Sequence, residues 1–213
     1  MKYLSILFFF AVQLCHSQDL SLQQLTKTEI AKKIQYHYQF ESTDGHVAKI
    51  DLFLYKNQTF EYFIASNVYN AYTTGRWKSD NNIVTLNSQF QKGTLPVKVS
   101  YRQRDSSDFS VKQLSLVKNL NKKTLPYAFV YINNDSTRCM DGDLLCTGEY
   151  KQIERVKVVL ENNGPSSKWI NIPSHKGLIQ LTVLTKRDLE NYIILTNKKY
   201  TIDSKKLKPL DNK

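Results

Sequence analysis

The chain has 213 residues and a formal net charge of +11, from 30 Lys and Arg against 19 Asp and Glu. Its 41% hydrophobic residues and its low content of Gly and Pro, 7 and 5 residues, exclude a fibrous chain and argue against extensive disorder. The length suits one large domain or two small ones, and three Cys are too few for a disulfide-dense mini-protein.

The first 17 residues have the features of a secretory signal peptide. Lys2 supplies the positive charge, Leu4 to Leu14 is almost entirely apolar, and Cys15 and Ser17 form a small-x-small pair. The apolar run is shorter than the about 20 residues of a membrane-spanning helix. We therefore expect an exported protein, periplasmic or extracellular and not membrane-spanning, that begins at Gln18. Lipidation of Cys15 is the alternative, although Leu14 stands where a lipobox carries a small residue.

Residues 18–90 predict one short helix followed by a β-meander. The segment 20–33 has helical spacing of Leu and Ile, with weak capping at Thr28 and Glu29. From Ile34 onward apolar residues alternate with polar ones, which is typical of strands with one buried face. Short polar turns separate five such segments, which are 34–41, 50–54, 60–64, 72–77 and 83–86.

A boundary is expected at Gln89 to Pro96, and a second β series follows it over residues 97–213. Alternation recurs at 97–101, 127–131 and 156–160, whereas Leu178 to Leu184 is nearly continuous and predicts a strand buried on both faces. The predicted class is all-β, with an N-terminal meander barrel or curled sheet followed by a β-sandwich-like domain. A single continuous β domain is the alternative.

The N-terminal half resembles the small calycin-like β-barrel modules of exported Gram-negative envelope proteins. The resemblance covers a stretch of about 40 residues and rests on Ile50-Asp51-Leu52, Asn57-Gln58-Thr59-Phe60, Gly75-Arg76-Trp77 and Ile83-Val84-Thr85-Leu86-Asn87. It implies a barrel fold and an envelope location. The Cys-x-x-Cys of related metal-handling modules is missing, so the resemblance implies no metal site. The C-terminal half is more distantly similar to immunoglobulin-type or transthyretin-like sandwiches.

Cys139 and Cys146 remain once the leader is removed, and in an exported chain such a pair favours one local disulfide. A zinc site would need closer spacing and two further ligands, and His175 is the only candidate nearby. Calcium held by carboxylates around the cysteines is a further alternative, although the EF-hand spacing is not met. Those carboxylates are Asp135, Asp141, Asp143 and Glu149. We expect solvated loop carboxylates, with no metal and no cofactor.

No catalytic signature stands out in the sequence. Neither Gly-x-Ser-x-Gly nor His-Glu-x-x-His occurs. A Ser-His-Asp site would have to combine Ser174, His175 and Asp188, which are close in sequence without any indication of shared geometry. A glycan or peptide hydrolase would need carboxylates converging from distant segments. The candidates for such a pair are Asp51, Glu61 and Glu149.

The two Trp are the candidate ligand contacts. Trp77 follows Gly75 and suggests a plug in the barrel, whereas Trp169 follows a polar segment and is the better candidate. Lysine pairs are spread along the chain, and no stripe interleaves Arg with aromatics as nucleic-acid modules do. The sequence therefore favours an exported, non-catalytic envelope protein that binds an anionic polysaccharide, a lipid surface or a protein partner, not nucleic acid. An extracytoplasmic hydrolase is the alternative.

Overall fold

The computed structural model describes residues 19–42, 49–67, 69–102, 117–140, 146–147, 152–161, 164–173 and 178–210. Strands dominate these residues and one short helix accompanies them, so the predicted all-β class is confirmed. The predicted signal peptide lies outside the described residues. No helix within the described ranges is long and apolar enough to cross a membrane.

Sixteen strands follow one another along the described residues, with helix α1 (Lys27–Ala31) between the first two. The first six are β1 (Leu20–Leu22), β2 (Ile34–Glu41), β3 (Lys49–Tyr55), β4 (Thr59–Ala65), β5 (Asn70–Asp80) and β6 (Ile83–Ser88). The next eight are β7 (Val97–Arg102), β8 (Lys118–Asn119), β9 (Ala128–Ile132), β10 (Arg138–Met140), β11 (Cys146–Thr147), β12 (Arg155–Leu160), β13 (Ile170–Asn171) and β14 (Leu178–Val183). The last two are β15 (Lys198–Asp203) and β16 (Lys206–Pro209).

The first of two compact units is a closed eight-stranded barrel. Of the described residues, it comprises those up to Gln89 and those from Ile193 onward. Around the barrel the strands run β1-β2-β3-β4-β5-β6-β15-β16 and back to β1, and every neighbouring pair is antiparallel. It is therefore an up-and-down barrel, into which the second unit, Phe90–Tyr192, is inserted between the sixth and seventh strands.

The closure of the barrel changes the domain boundaries expected from the sequence. Residues 97–213 were expected to form one sandwich-like domain, but β15 and β16 belong to the barrel. β15 pairs with β6 through Tyr200 and Val84, and β16 pairs with β1 through Leu207 and Leu20. A six-stranded meander would leave two open edges, and these last strands remove both of them.

The N-terminal segment also differs from its prediction, because its first residues take part in closing the barrel. Helical spacing predicted a helix over residues 20–33, but residues Leu20–Leu22 form β1, which bridges β16 and β2. Only Lys27–Ala31 is helical. Its cap is Thr26 and not Thr28, because the backbone N–H of Thr26 donates to Glu29 at 2.8 Å and the Glu29 N–H donates to the Thr26 hydroxyl at 3.3 Å.

The side chain of His37 connects α1 to the outer wall of the barrel. Its Nδ1 lies 2.9 Å from Oε1 of Glu29, and its Nε2 lies 2.8 Å from Oδ1 of Asp51. Hydrogen bonds from the backbone and hydroxyl of Thr26 lower the pKa of Glu29. His37 also stacks on Phe53, with ring centroids 4.3 Å apart. His37 thus lies in a partly buried polar network.

The barrel interior is filled by large apolar side chains that alternate along the strands. The buried residues include Leu52 and Leu54 on β3, Phe60 and Tyr62 on β4, and Tyr200 on β15. Such filling is the expected outcome for eight strands, which enclose only enough space for side chains or one small ligand. Burial raises the pKa of Tyr200, and a hydrogen bond with Tyr62 opposes that shift.

The second unit contains two sheets. The larger sheet has the order β11-β10-β9-β12-β13, and the smaller one has the order β7-β14-β8. β14 is antiparallel to β7 and parallel to β8. The burial of β14 alternates, with Ile179, Leu181 and Val183 buried and the residues between them half-buried, so the predicted burial on both faces is wrong.

Candidate functional site

The outer face of the larger sheet in the second unit collects basic and aromatic side chains. On β9 the residues Ala128, Val130 and Ile132 are buried, while Phe129 and Tyr131 between them point the other way and stay half-buried. On β12 Val156, Val158 and Leu160 are buried, which leaves Arg155 and Lys157 on the outer face. Two adjacent strands therefore present aromatic and cationic residues side by side.

The strand register extends this arrangement to four strands. Tyr131 lies opposite Arg138 of β10 on one side and opposite Lys157 of β12 on the other. Arg155 lies opposite Asn171 of β13, so Trp169, two residues before Asn171, reaches the same face. We call this surface the basic aromatic face and define it by six residues: Phe129, Tyr131, Arg138, Arg155, Lys157 and Trp169.

Each cation of the basic aromatic face lies over an aromatic ring. The Arg138 Cζ is 4.2 Å from the ring centroid of Phe129. The Arg155 Cζ is 4.6 Å and the Lys157 Nζ is 4.9 Å from the Trp169 ring centroid. The same Lys157 Nζ is 5.2 Å from the Tyr131 centroid. Cation–π contacts of this kind each stabilise by roughly 0.5–1 kcal/mol at exposed sites, and they hold the cationic side chains in position over the rings.

The turn between β9 and β10 fastens one side of the basic aromatic face. Asn133, in the left-handed conformation with φ 61°, accepts the backbone N–H of Glu154 at 2.8 Å on its side-chain oxygen. Its backbone carbonyl accepts the Nε–H of Arg155 at 2.7 Å. Asn134 accepts the N–H groups of Ser136 and Thr137 at 2.7 and 2.9 Å. Asp135, which lies between Asn134 and Ser136 in this turn, forms an ion pair with Lys157.

The cations of this surface can pair with acidic groups. A guanidinium stacked on a ring directs its N–H donors outward in its own plane, and the fork geometry suits carboxylate, sulfate or phosphate groups. Cations already lie over Phe129, Tyr131 and Trp169, so these rings serve mainly to hold charge. Stacking of nucleic-acid bases relies instead on aromatic faces that the base itself covers.

The two predicted ligand contacts occupy different units. Trp169 belongs to the basic aromatic face, where it contacts Arg155 and Lys157. Trp77 lies in the barrel core with 8% of its surface exposed, and its Nε1–H donates to the carbonyl of Tyr55 at 3.0 Å. Its ring also meets that of Tyr36 edge to face at 6.4 Å. The packing of Trp77 is that of a barrel plug.

The other predicted residues are not brought into a catalytic arrangement among the residues that the structure describes. Ser174, His175 and Glu149 lie outside those residues, as do Asp141 and Asp143 of the considered calcium loop. Asp51 is bonded to His37 and to Gln39, and Glu61 accepts the Tyr55 hydroxyl at 2.8 Å. No group of three or more metal-binding side chains occurs within the described ranges.

Asp188, the third member of the considered Ser-His-Asp set, is held by a hydrogen bond and an ion pair. Tyr127 donates its hydroxyl to this carboxylate and accepts the N–H of Leu189 at 2.9 Å, and Lys123 forms an ion pair with it. Partial burial raises the pKa of Asp188, but the hydrogen bonds from Lys123 and Tyr127 outweigh burial and lower it overall. The carboxylate thereby joins the start of β9 to the segment after β14.

Sequence reasoning found Trp169 and missed the other five residues of the basic aromatic face. The chain contains no linear stripe of Arg and aromatics, and the face is assembled from separate segments by strand pairing. The available signal was the alternation on residues 127–131 and 155–160, whose outward positions are aromatic in one segment and basic in the other.

Comparisons with protein-family models, with curated proteins and with solved structures found no match to the chain.

Proposed function

We propose that the protein is an exported, non-catalytic envelope protein whose basic aromatic face binds an anionic glycan. The observation that carries this proposal is the placement of Arg138, Arg155 and Lys157 over aromatic rings on one sheet face. Three positioned cations on a sheet surface suit repeated acidic groups along an extended polymer. The leader-like N-terminus supports an extracytoplasmic location, where acidic polysaccharides occur and nucleic acids are rare.

A charge-neutralising double variant tests the proposal. We expect Arg155→Gln with Lys157→Gln to weaken binding of a sulfated glycosaminoglycan or of polygalacturonate about tenfold or more, because charge-assisted hydrogen bonds contribute about 1.5–3 kcal/mol each. The measurement is isothermal titration at low and moderate salt. The matched control is Lys205→Gln with Lys206→Gln, which removes the same charge from exposed barrel positions.

Competition experiments separate the glycan from other anionic partners. We expect the glycan to displace a single-stranded oligonucleotide of equal charge and to bind more tightly than vesicles of anionic phospholipid. An equal loss in the control variant would reduce the interaction to general electrostatic attraction and contradict the proposal. Preferential binding of the oligonucleotide or of the vesicles would also overturn it, since each assigns the face to a different partner.

We further propose that the barrel is a calycin-like module that serves as a scaffold. Its up-and-down order supports the resemblance seen at Gly75-Arg76-Trp77 and at the neighbouring strands. The lumen carries buried side chains such as Phe60, Tyr62 and Tyr200, so the proposed ligand surface is placed on the second unit and not inside the barrel.

We also propose that Cys139 and Cys146 form a disulfide, which would hold β11 against β10, the strand that carries Arg138. The two residues lie directly opposite each other in the register of β10 and β11, and Cys139 is buried. Closing so short a ring stabilises by about 2 kcal/mol in the loop-entropy model.

Reduction of the proposed disulfide is expected to lower the free energy of unfolding by about 2 kcal/mol. The measurement is a denaturant titration with and without reductant. In the double variant Cys139→Ala with Cys146→Ala, the same reductant should change nothing. Peptide mapping that recovers both cysteines as free thiols from protein purified without reductant would contradict the prediction.

A further inference from the structure

We infer that Asp135 is an internal competitor that occupies the anion position at Lys157 until a ligand displaces it. This inference rests on the proposed function, because it concerns how the basic aromatic face is regulated. Asp135 is the acidic partner of the face: its carboxylate forms an ion pair with the Lys157 ammonium. The same ammonium lies over the rings of Tyr131 and Trp169, near the centre of the face.

The turn that carries Asp135 is built to present this carboxylate. Asn133 is bonded to the start of β12 on both its side chain and its backbone, which anchors the turn beside the cations. Asn134 caps the N–H groups of Ser136 and Thr137, which fixes the backbone on the other side of Asp135. The position of the carboxylate therefore follows from the backbone and does not depend on a long flexible side chain.

The exposure of the pair makes exchange feasible. The Asp135 side chain is 69% exposed, whereas that of Lys157 is 21% exposed. An exposed carboxylate gives up its partner at little cost, because exposed ion pairs contribute only up to about 1 kcal/mol. Lys157, held by the two rings, stays in place when Asp135 leaves. A glycan carboxylate or sulfate would thus take the place of the Asp135 carboxylate on the same ammonium.

Competition of this kind sets a threshold for binding. A ligand with isolated acidic groups gains little at Lys157, since it exchanges one carboxylate for another. A ligand that also binds Arg138 and Arg155 gains free energy at those cations, which offsets the loss of the Asp135–Lys157 ion pair. The ion pair therefore favours polymers with closely repeated acidic groups over singly charged ligands.

The experiment compares Asp135→Asn with the wild type in isothermal titration against polygalacturonate and against free galacturonate. We expect the variant to bind the polymer about two- to fivefold more tightly, in line with the small value of an exposed pair. The monomer should gain a larger factor, because it engages no second cation that offsets the competition by Asp135. The matched control is Asp203→Asn, which removes the same charge from an exposed pair with Lys208 in the barrel.

A double-mutant cycle isolates the pair from the change in net charge. In the Lys157→Gln background, Asp135→Asn should give no gain, because the ammonium for which the carboxylate competes is gone. An unchanged or weaker affinity of Asp135→Asn, or a gain that persists without Lys157, would overturn the inference. The proposed function is judged separately by Arg155→Gln with Lys157→Gln, whose full affinity would refute the binding face itself.

Discussion

Replacement of Gly75 by Ala is expected to destabilise the barrel by about 4 kcal/mol or more, at the upper end of single-residue effects. Gly75 lies on β5, and a Cβ at this position would stand 2.0 Å from the backbone oxygen of Asn87 and 2.8 Å from Cε1 of Phe60. The Asn87 oxygen belongs to the neighbouring strand β6 and cannot retreat without distorting the paired strands. The variant must therefore push β5 and β6 apart where Gly75 pairs with Ser88.

Fluorescence offers a specific readout for this effect. The chain has two Trp, so Trp77 is the sole reporter in a Trp169→Phe background and follows barrel unfolding in denaturant. The control is Gly93→Ala, where φ is +76° and no atom lies within 4 Å of the added Cβ. There only backbone strain acts, within the second unit, so we expect the barrel transition reported by Trp77 to shift by no more than about 1 kcal/mol. A Gly75→Ala protein that unfolds at the wild-type denaturant concentration would contradict the close approach of β5 and β6.

Replacement of Leu207 by Asp is expected to prevent stable closure of the barrel. Leu207 is fully buried on β16, opposite Leu20 of β1 and Ile202 of β15. A carboxylate at this site would enter the apolar core without a partner, which costs several kcal/mol through desolvation. We expect a loss of about 4 kcal/mol or more in the free energy of unfolding, comparable to breaking a buried ion pair.

The measurement is again a denaturant titration followed by Trp77 fluorescence, in the Trp169→Phe background. Lys206→Asn is the matched control, because it changes an exposed residue on the same strand and should act within about 0.5 kcal/mol. Wild-type stability in the Leu207→Asp protein would show that β16 does not seal the core.

Alternation alone was enough to locate most of the long strands. Residues 50–54, 60–64 and 156–160 have an apolar residue at every second position, and the structure contains strands at each of them. Alternation could not predict that the barrel closes. What identifies β1, β15 and β16 as barrel strands is their pairing with each other and with the outer strands β2 and β6. Leu20–Leu22 falls within the segment 20–33, whose spacing predicted a helix, yet it pairs with β2 and β16 as a strand.

The candidate site was predictable only in part for a related reason. Trp169 stands out by its type and by its polar neighbours in sequence, whereas Arg138 and Lys157 resemble any surface cations. Arg138 and Lys157 belong to one site because both lie opposite Tyr131 on the strands that flank β9. The pairing of separate strands decides which side chains meet, and a single sequence contains no direct record of it.

The insertion of a whole unit within the barrel has a consequence for biosynthesis. The Ser88 hydroxyl accepts the N–H of Leu195 at 2.8 Å, so the chain leaves and re-enters the barrel at adjacent points. Between these points the ribosome must produce more than a hundred residues. Until they have been made, β1 to β6 lack the partners that seal their two edges. A nascent chain in this condition exposes unpaired strand edges and is prone to aggregation until synthesis is complete.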